Sequence, residues 1–304
     1  MSRLFHLAGI VPCVDQRKKL LMPWDDYLYP IGWNLLAVER AVLECAYIGC
    51  ETIWIVLDKR TQPLIKERMG ESVLDPLFYN LYRKRFPEKH RKEIPIYYVP
   101  IHPRDAYQRD SQIWSTIYGS RVADKVSRQM SSWLAPHKFY VANPYALYPY
   151  SSVIKVRREA SSKTKRLVLT TPDGKDFTDG LYTGFSYNFE DVKEWYKIFR
   201  SQEIRQYDPD TYRGTYDRSK AKRLPIEKRY SGRRMSLKDV YGKFNPNNNC
   251  DEIVEHEIEY YYDLREHRNY EKFIRETEGL KTFGALFKNR RFTRIGQEGV
   301  EDSI

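Results

Sequence analysis

The chain has 304 residues, 41% of them hydrophobic, 14% aromatic and 31% charged, with a formal net charge of +11. That length and aromatic content suffice for a buried core and exclude a disordered or collagen-like chain. No apolar run reaches the roughly 18 residues of a membrane span, and Leu4 to Pro12 is too short for a signal peptide, so a cytoplasmic protein is expected.

Leu4 to Val11 reads as a first buried strand, closed by Pro12, and a long loop through Arg17-Lys18-Lys19 follows. From Trp33 the apolar residues take a helical period (Leu35, Leu36, Val38, Ala41, Val42, Cys45, Ala46), and Gly49 ends that helix. Thr52 to Leu57 is an uninterrupted apolar strand, the kind buried on both faces of a parallel sheet. Pro63 to Met69 and Asp75 to Phe86 read as helices, and Ile94 to Val99 as the third strand. Asp110 or Ser111 caps a long helix, Ile113 to Leu134, before a fourth strand, His137 to Ala142, that ends at Asn143-Pro144-Tyr145. Strands alternating with helices predict a parallel sheet whose ligands lie beyond the strands' carboxyl ends. Here those ends are Gly9 to Lys19, Asp58, Ile101 to Asp110, and Asn143 to Tyr145.

After residue 150 the pattern changes. Arg166 to Thr170 and Asp179 to Phe185 read as a strand pair around the turn Pro172 to Lys175. Asn188 caps a helix, Phe189 to Arg200; Ile253 to Leu264 alternates as one more strand, and Tyr270 to Thr277 is helical. The expected organisation is one α/β domain over 1–280. Its first half, 1–150, is nucleotide-binding. Its second, 151–280, is a substrate half broken by a basic excursion at 200–249, and a basic tail follows at 281–304.

The positive charge is concentrated late. Residues 200–243 hold 13 Lys/Arg against 6 Asp/Glu, and residues 281–294 add five basic residues and no acid. Such segments attract polyanions; a solvated basic face is the alternative reading. Tyr207, Tyr212, Tyr216, Tyr230 and Tyr241 interleave with the cations of 200–243. That mixture suits single-stranded nucleic acid, a protein surface, or a lid over an anionic substrate.

Four cysteines (Cys13, Cys45, Cys50, Cys250) form no CxxC pair and read as reduced thiols. The six histidines make neither HxxxH nor HxH, and no GxSxG element exists, so zinc catalysis and acyl hydrolysis lack a basis.

Four segments, in this order, carry a resemblance. Leu7-Ala8-Gly9 lies in the first strand, and Pro30-Ile31-Gly32 leads through Gly49 to Val56. Ser111 to Ala123 contains Tyr118-Gly119, and Ile258 to Asp263 precedes Tyr270-Glu271-Lys272-Phe273. They resemble the nucleotidyltransferases of the GT-A-like fold, which join a nucleoside triphosphate to a sugar phosphate. The resemblance implies a three-layer α/β/α fold with a mostly parallel central sheet, magnesium as cofactor, and a nucleoside triphosphate and a small phosphorylated substrate as ligands. It places metal ligands at Asn143 and Asp263, nucleotide contacts at Ala8 and Gly9, and a nucleotide-facing helix at Ser111.

The residues add their own indications. Arg17, Lys18 and Lys19 stand in the first loop, where cations would meet the β- and γ-phosphates. Asp110 and Ser111 start a helix, a natural phosphate or ribose contact, although capping explains them equally well. Asn143 and Tyr145 end a strand in the expected crevice, and Asp263 reads either as a metal ligand or as the cap of the helix after it. The chain departs from the family pattern at two places. Gly9 is followed by Ile10-Val11-Pro12 rather than a glycine-rich phosphate loop, and Asn143 stands where an aspartate is expected. Two other functions stay open: a catalytically degenerate member of the fold serving as a binding or virus-associated structural protein, and a nucleotide-sugar glycosyltransferase. For the latter the nearest metal motif is Asp208-x-Asp210, which follows a helix instead of a sheet strand.

Overall fold

A computed structural model describes residues 5–14, 24–32, 34–76, 92–106, 108–131, 134–203, 207, 222–225, 229, 232–242 and 252–276. The expected helix beyond Pro76, the tail and most of the basic excursion lie outside them.

Among the described residues eight strands form one sheet. Its middle is β1 (Leu7–Pro12), paired in parallel with β4 (Thr52–Leu57) and β7 (Lys138–Val141). β6 (Glu93–Pro100) extends it in parallel beyond β4, and β5 (Ser72–Leu74) closes that edge antiparallel. On the other side β10 (Phe185–Tyr187) is antiparallel to both β7 and β9 (Lys165–Thr170), and β11 (Glu252–Glu257) ends the sheet parallel to β9. Strands from both halves of the sequence thus share one sheet. Two short hairpins flank it: β2 (Pro30–Gly32) with β3 (Leu35–Leu36), and β8 (Ala146–Leu147) with β12 (Tyr262–Asp263).

Alternation along β1 decides the layers, because successive side chains leave a strand on opposite faces. A Cβ on Gly9 would stand 2.6 Å from Cys45 Sγ, in α1 (Ala37–Ile48). Ile10 faces the other way, toward Gly119 of α3 (Gln112–Met130), whose missing side chain admits Val56 and Ile10. α1 and α3 therefore cover opposite faces, the three-layer α/β/α arrangement, with the core at both helix–sheet interfaces. α1 stops where expected, at Gly49, whose φ of 97° suits glycine. α2 (Gln62–Met69) follows β4, while α4 (Tyr150–Lys155) and α5 (Arg157–Ala160), with no sequence signal, lead into β9. α6 (Phe189–Glu203) packs on α3, and α7 (Leu237–Tyr241) and α8 (His267–Glu276) complete the helices named here.

The structure corrects two expectations in the second half. The partner of β9 is Phe185–Tyr187, because Asp176 accepts from the Thr178 N–H at 2.7 Å and Gly180 takes a φ of 94°. These turn residues 177–180 into a single 3-10 turn. The expected strand Ile253 to Leu264 is two. After Ile258 donates to Thr170 O at 2.9 Å the chain leaves the sheet, and Tyr262–Asp263 pairs with β8.

Just before β1, His6 is buried, with Nδ1 2.7 Å from Leu134 O and Nε2 3.0 Å from Thr52 Oγ1. Burial lowers its pKa, against the raising effects of the Leu134 carbonyl and the Glu51 charge. The unfolded chain, with a histidine near 6.5, then binds the proton before the folded chain does. Stability falls as pH drops below about 6.5 and levels once the folded imidazole is protonated as well. His6→Gln is expected to flatten this part of the profile in thermal unfolding between about pH 7.5 and pH 5. An unchanged slope would assign the dependence elsewhere.

Candidate functional site

The parallel strands deliver their carboxyl ends to one edge of the sheet, and side-chain hydrogen bonds lock those ends to the first turn of α3. Cys13 N donates to Val56 O at 2.8 Å, and Tyr145 Oη donates to Cys13 O at 2.6 Å. Gln112 Nε2 donates to Pro12 O at 3.1 Å and also to Asn143 Oδ1; Asn143 Nδ2 in turn donates to Tyr182 O at 3.2 Å. Ser115 Oγ donates to Val14 O at 3.2 Å. The exits of β1 and β7 are thus pinned to each other through buried amides. Gln112 Oε1 is buried there without a hydrogen-bond partner.

The β8–β12 hairpin brings the late segment to the same place. Asp263 pairs with Ala146, and Leu264 N donates to Tyr145 O at 2.8 Å. Asp263 Oδ1 accepts from Arg265 N at 3.0 Å and Nε at 3.2 Å, and Oδ2 accepts from Nη2 at 3.1 Å. The Arg265 guanidinium carbon lies 3.8 Å from the Tyr182 ring centroid, close enough for a cation–π contact.

A cavity of about 200 Å³ opens where β1, β4 and β6 end, lined by Val14, Asp58, Lys59, Arg60, Ile101 and Asp110 among others. Burial raises the Asp58 pKa, but hydrogen bonds and charge from Arg60 outweigh it and leave the carboxyl below its usual range. Asp110 is buried and accepts from Arg233 Nε at 2.7 Å, so the basic excursion touches this edge. Ser111 Oγ caps α3 by accepting from Trp114 N at 3.3 Å. The Cys13 thiol is pushed well up by burial and by the Asp25 charge, which makes it a poor nucleophile.

The structure therefore gathers Asp110, Ser111, Asn143, Tyr145 and Asp263 around one edge. Ala8 and Gly9 sit inside β1, paired on both sides, three or more residues before the strand ends. Arg17, Lys18 and Lys19 lie outside the described residues. Sequence reasoning missed Gln112, Tyr182 and Arg265. The only available sign for Gln112 was a polar residue directly after the cap of a helix that starts at the strands' carboxyl ends.

No family model and no curated protein matches the sequence. Solved structures do. A glucose-1-phosphate thymidylyltransferase from Bacillus anthracis, solved with a sucrose, superposes with a TM-score of 0.54 at 9% identity, over 91% of this chain and 97% of that one. A UTP-bound UGPase from Acinetobacter baumannii gives 0.49 at 12% identity, over 97% of this chain and 99% of that one. The chain has a divergent nucleotidyltransferase-like fold. Identity this low establishes the architecture only.

Within the nucleotidyltransferase-like fold, the donor set can be tested for a resident magnesium, which demands near-octahedral oxygen ligands. Asn143 offers a neutral oxygen that already accepts from Gln112. Both carboxylate oxygens of Asp263 are taken by Arg265, so its charge is neutralised at contact distance. Among the described residues no group of three or more His, Cys, Asp and Glu side chains is placed to hold a metal ion. The residues as arranged do not fit a protein-held magnesium.

Proposed function

We propose that this crevice binds a nucleoside triphosphate and that the chain transfers its nucleotidyl group to a phosphorylated sugar or similar small anion. The observation that carries the reading is the cavity at the ends of β1, β4 and β6, bordered by Asp110 just before the N-terminus of α3. Ser111 and Tyr145 lie on the same edge of the sheet, and Arg17, Lys18 and Lys19 follow Val14 in the sequence.

In the transfer, an acceptor phosphate oxygen forms a bond to the α-phosphorus while the bond to pyrophosphate breaks. The protein's part is to align the two in line and to meet the leaving charge with cations. We assign that second task to Arg17, Lys18 and Lys19. Magnesium enters here as the counter-ion of the triphosphate, part of the substrate. The reduced thiols of Cys13, Cys45 and Cys50 accord with a cytoplasmic setting.

Thermal unfolding with each of the four nucleoside triphosphates, with and without magnesium, tests the reading. One nucleotide is expected to raise the transition, by an amount equivalent to about 2.7 kcal/mol at 100 times its dissociation constant. A flat response to all four would sink it in favour of a catalytically degenerate binding protein, a reading that the Asp263–Arg265 pairing favours.

A further inference from the structure

We infer that Arg265 holds the place on Asp263 that a resident divalent cation would take, so the crevice binds its nucleotide without a protein-held metal. The inference rests on reading this edge of the sheet as a nucleotide site, and it concerns what supplies the charge there.

Three observations carry it. Asp263 gives both oxygens to one guanidinium, a planar fork-to-fork pairing whose geometry matches the carboxylate. Arg265 is held in place from outside the pair as well. Its side chain is 8% exposed, its guanidinium lies over Tyr182, and the Leu264 N–H beside it is bonded to Tyr145 O. A metal ion approaching Asp263 must displace a stacked, bidentate cation from a site with little room for it to swing away. Finally, Asn143 offers a neutral oxygen that brings no charge to hold a metal, and one of its lone pairs is already engaged by Gln112, which holds the exit of β1.

The proposal reverses the usual expectation for an acidic residue in such a crevice. If Asp263 were a metal ligand, removing its charge would weaken metal and nucleotide binding together. As the partner of Arg265, Asp263 subtracts positive charge from the site. Asp263→Asn, whose amide oxygen still accepts from Arg265, then leaves anion binding unchanged or tighter. Arg265→Gln removes the occupying cation, frees the carboxylate, and is expected to create a metal dependence that the natural chain lacks.

Two readouts decide it on the full chain. The first is electron paramagnetic resonance of Mn²⁺ titrated into wild type, Asp263→Asn and Arg265→Gln, with circular dichroism to confirm that each is folded. Wild type is expected to leave the free Mn²⁺ signal intact. Quenching by wild type that disappears in Asp263→Asn would overturn the inference. The second is calorimetry with the triphosphate selected in the thermal screen, supplied as its magnesium complex to wild type and to Asp263→Asn. The variant is expected to bind within about twofold of wild type or more tightly, whereas a loss of about tenfold would overturn the inference. Should no triphosphate bind, the nucleotide reading falls and the Mn²⁺ result still decides whether Asp263 is a metal ligand.

Discussion

Replacing Glu44 with alanine is expected to destabilise the fold by about 3–5 kcal/mol, the cost of leaving a buried charge without its partner. Glu44 lies in α1 with no exposed surface, and its carboxylate is the hub of a network between that helix and the sheet. Oε1 accepts from the hydroxyl of Tyr140 in β7 at 2.6 Å and from that of Tyr148, and Oε2 accepts from Arg40 Nη1 at 2.6 Å. Arg40 is equally buried; its Nη2 donates to Tyr148 O at 3.0 Å and its guanidinium lies 4.3 Å from the Tyr148 ring centroid. Burial alone would lower the Arg40 pKa, and the Glu44 charge more than reverses that. Burial, reinforced by Glu44, also pushes the Tyr140 and Tyr148 phenols well up, so both remain donors. Alanine therefore strands one guanidinium and two hydroxyls at once. Chemical denaturation of Glu44→Ala beside the double variant Arg40→Met/Glu44→Met separates charge from packing. The apolar pair should cost far less than the single change, because it leaves no buried ion. A loss below about 1 kcal/mol for Glu44→Ala would show that water reaches the cavity and that the network is not closed.

Much of this architecture was legible in the chain. β1, β4, β6 and β7 announce themselves as apolar runs, because strands covered by helices on both faces need no polar alternation. α1 and α3 are legible from their period and their ends, Gly49 and Ser111. Where reading failed, tertiary pairing had overruled local pattern. Residues 30–36 carry the same apolar character as α1 and read as its first turn and the loop before it, yet Asn34 at φ 54° turns the chain into the β2–β3 hairpin. β5 is three residues long, with Val73 and Leu74 its apolar side chains, too short a signal for a strand that pairs at the sheet edge with β6.

The site was legible to a different depth. That the crevice would lie beyond Pro12, Asp58, Ile101 and Asn143 follows from strand direction alone, and the cavity is lined by Val14, Asp58 and Ile101. What the sequence hides is which side chains are already spent on each other. Asp263 and Arg265 are two residues apart, a spacing that in an extended strand would put them on one face with both available to a ligand. Leu264 and Arg265 instead turn back, and the guanidinium closes onto the carboxylate. Asn143 and Gln112 are 31 residues apart, and no periodicity links a strand end to a helix start across the sheet.

Gly184→Ala is the second substitution with a large expected effect, and it acts on the same network from the strand end just before β10. A methyl group at residue 184 would stand 2.1 Å from Tyr140 Oη, 2.8 Å from Cζ and 2.9 Å from Tyr148 Oη. Gly184 is not among the residues with positive φ, so the cost lies in contact alone. A flexible neighbour would move aside, but both hydroxyls are tied to Glu44, and the Gly184 carbonyl accepts from Leu169 N at 3.0 Å, which fixes the backbone too. Either the phenols leave the carboxylate or the start of β10 shifts off β9. Overpacking of this kind costs about 1–3 kcal/mol, and the loss of a hydrogen bond to a buried ion places this case at the upper end, about 3 kcal/mol. Tyr140→Phe removes the atom in closest conflict, at the expense of one hydrogen bond to a charged acceptor, worth about 1.5–3 kcal/mol. The double variant Gly184→Ala/Tyr140→Phe should therefore be more stable than the two separate losses add up to, by about 1 kcal/mol or more in a denaturation cycle. The rescue should be partial, since the ring carbon at 2.8 Å remains. Strict additivity would mean that the backbone at 184 yields before the tyrosine does, and that Glu44 keeps its donors whatever stands at that position.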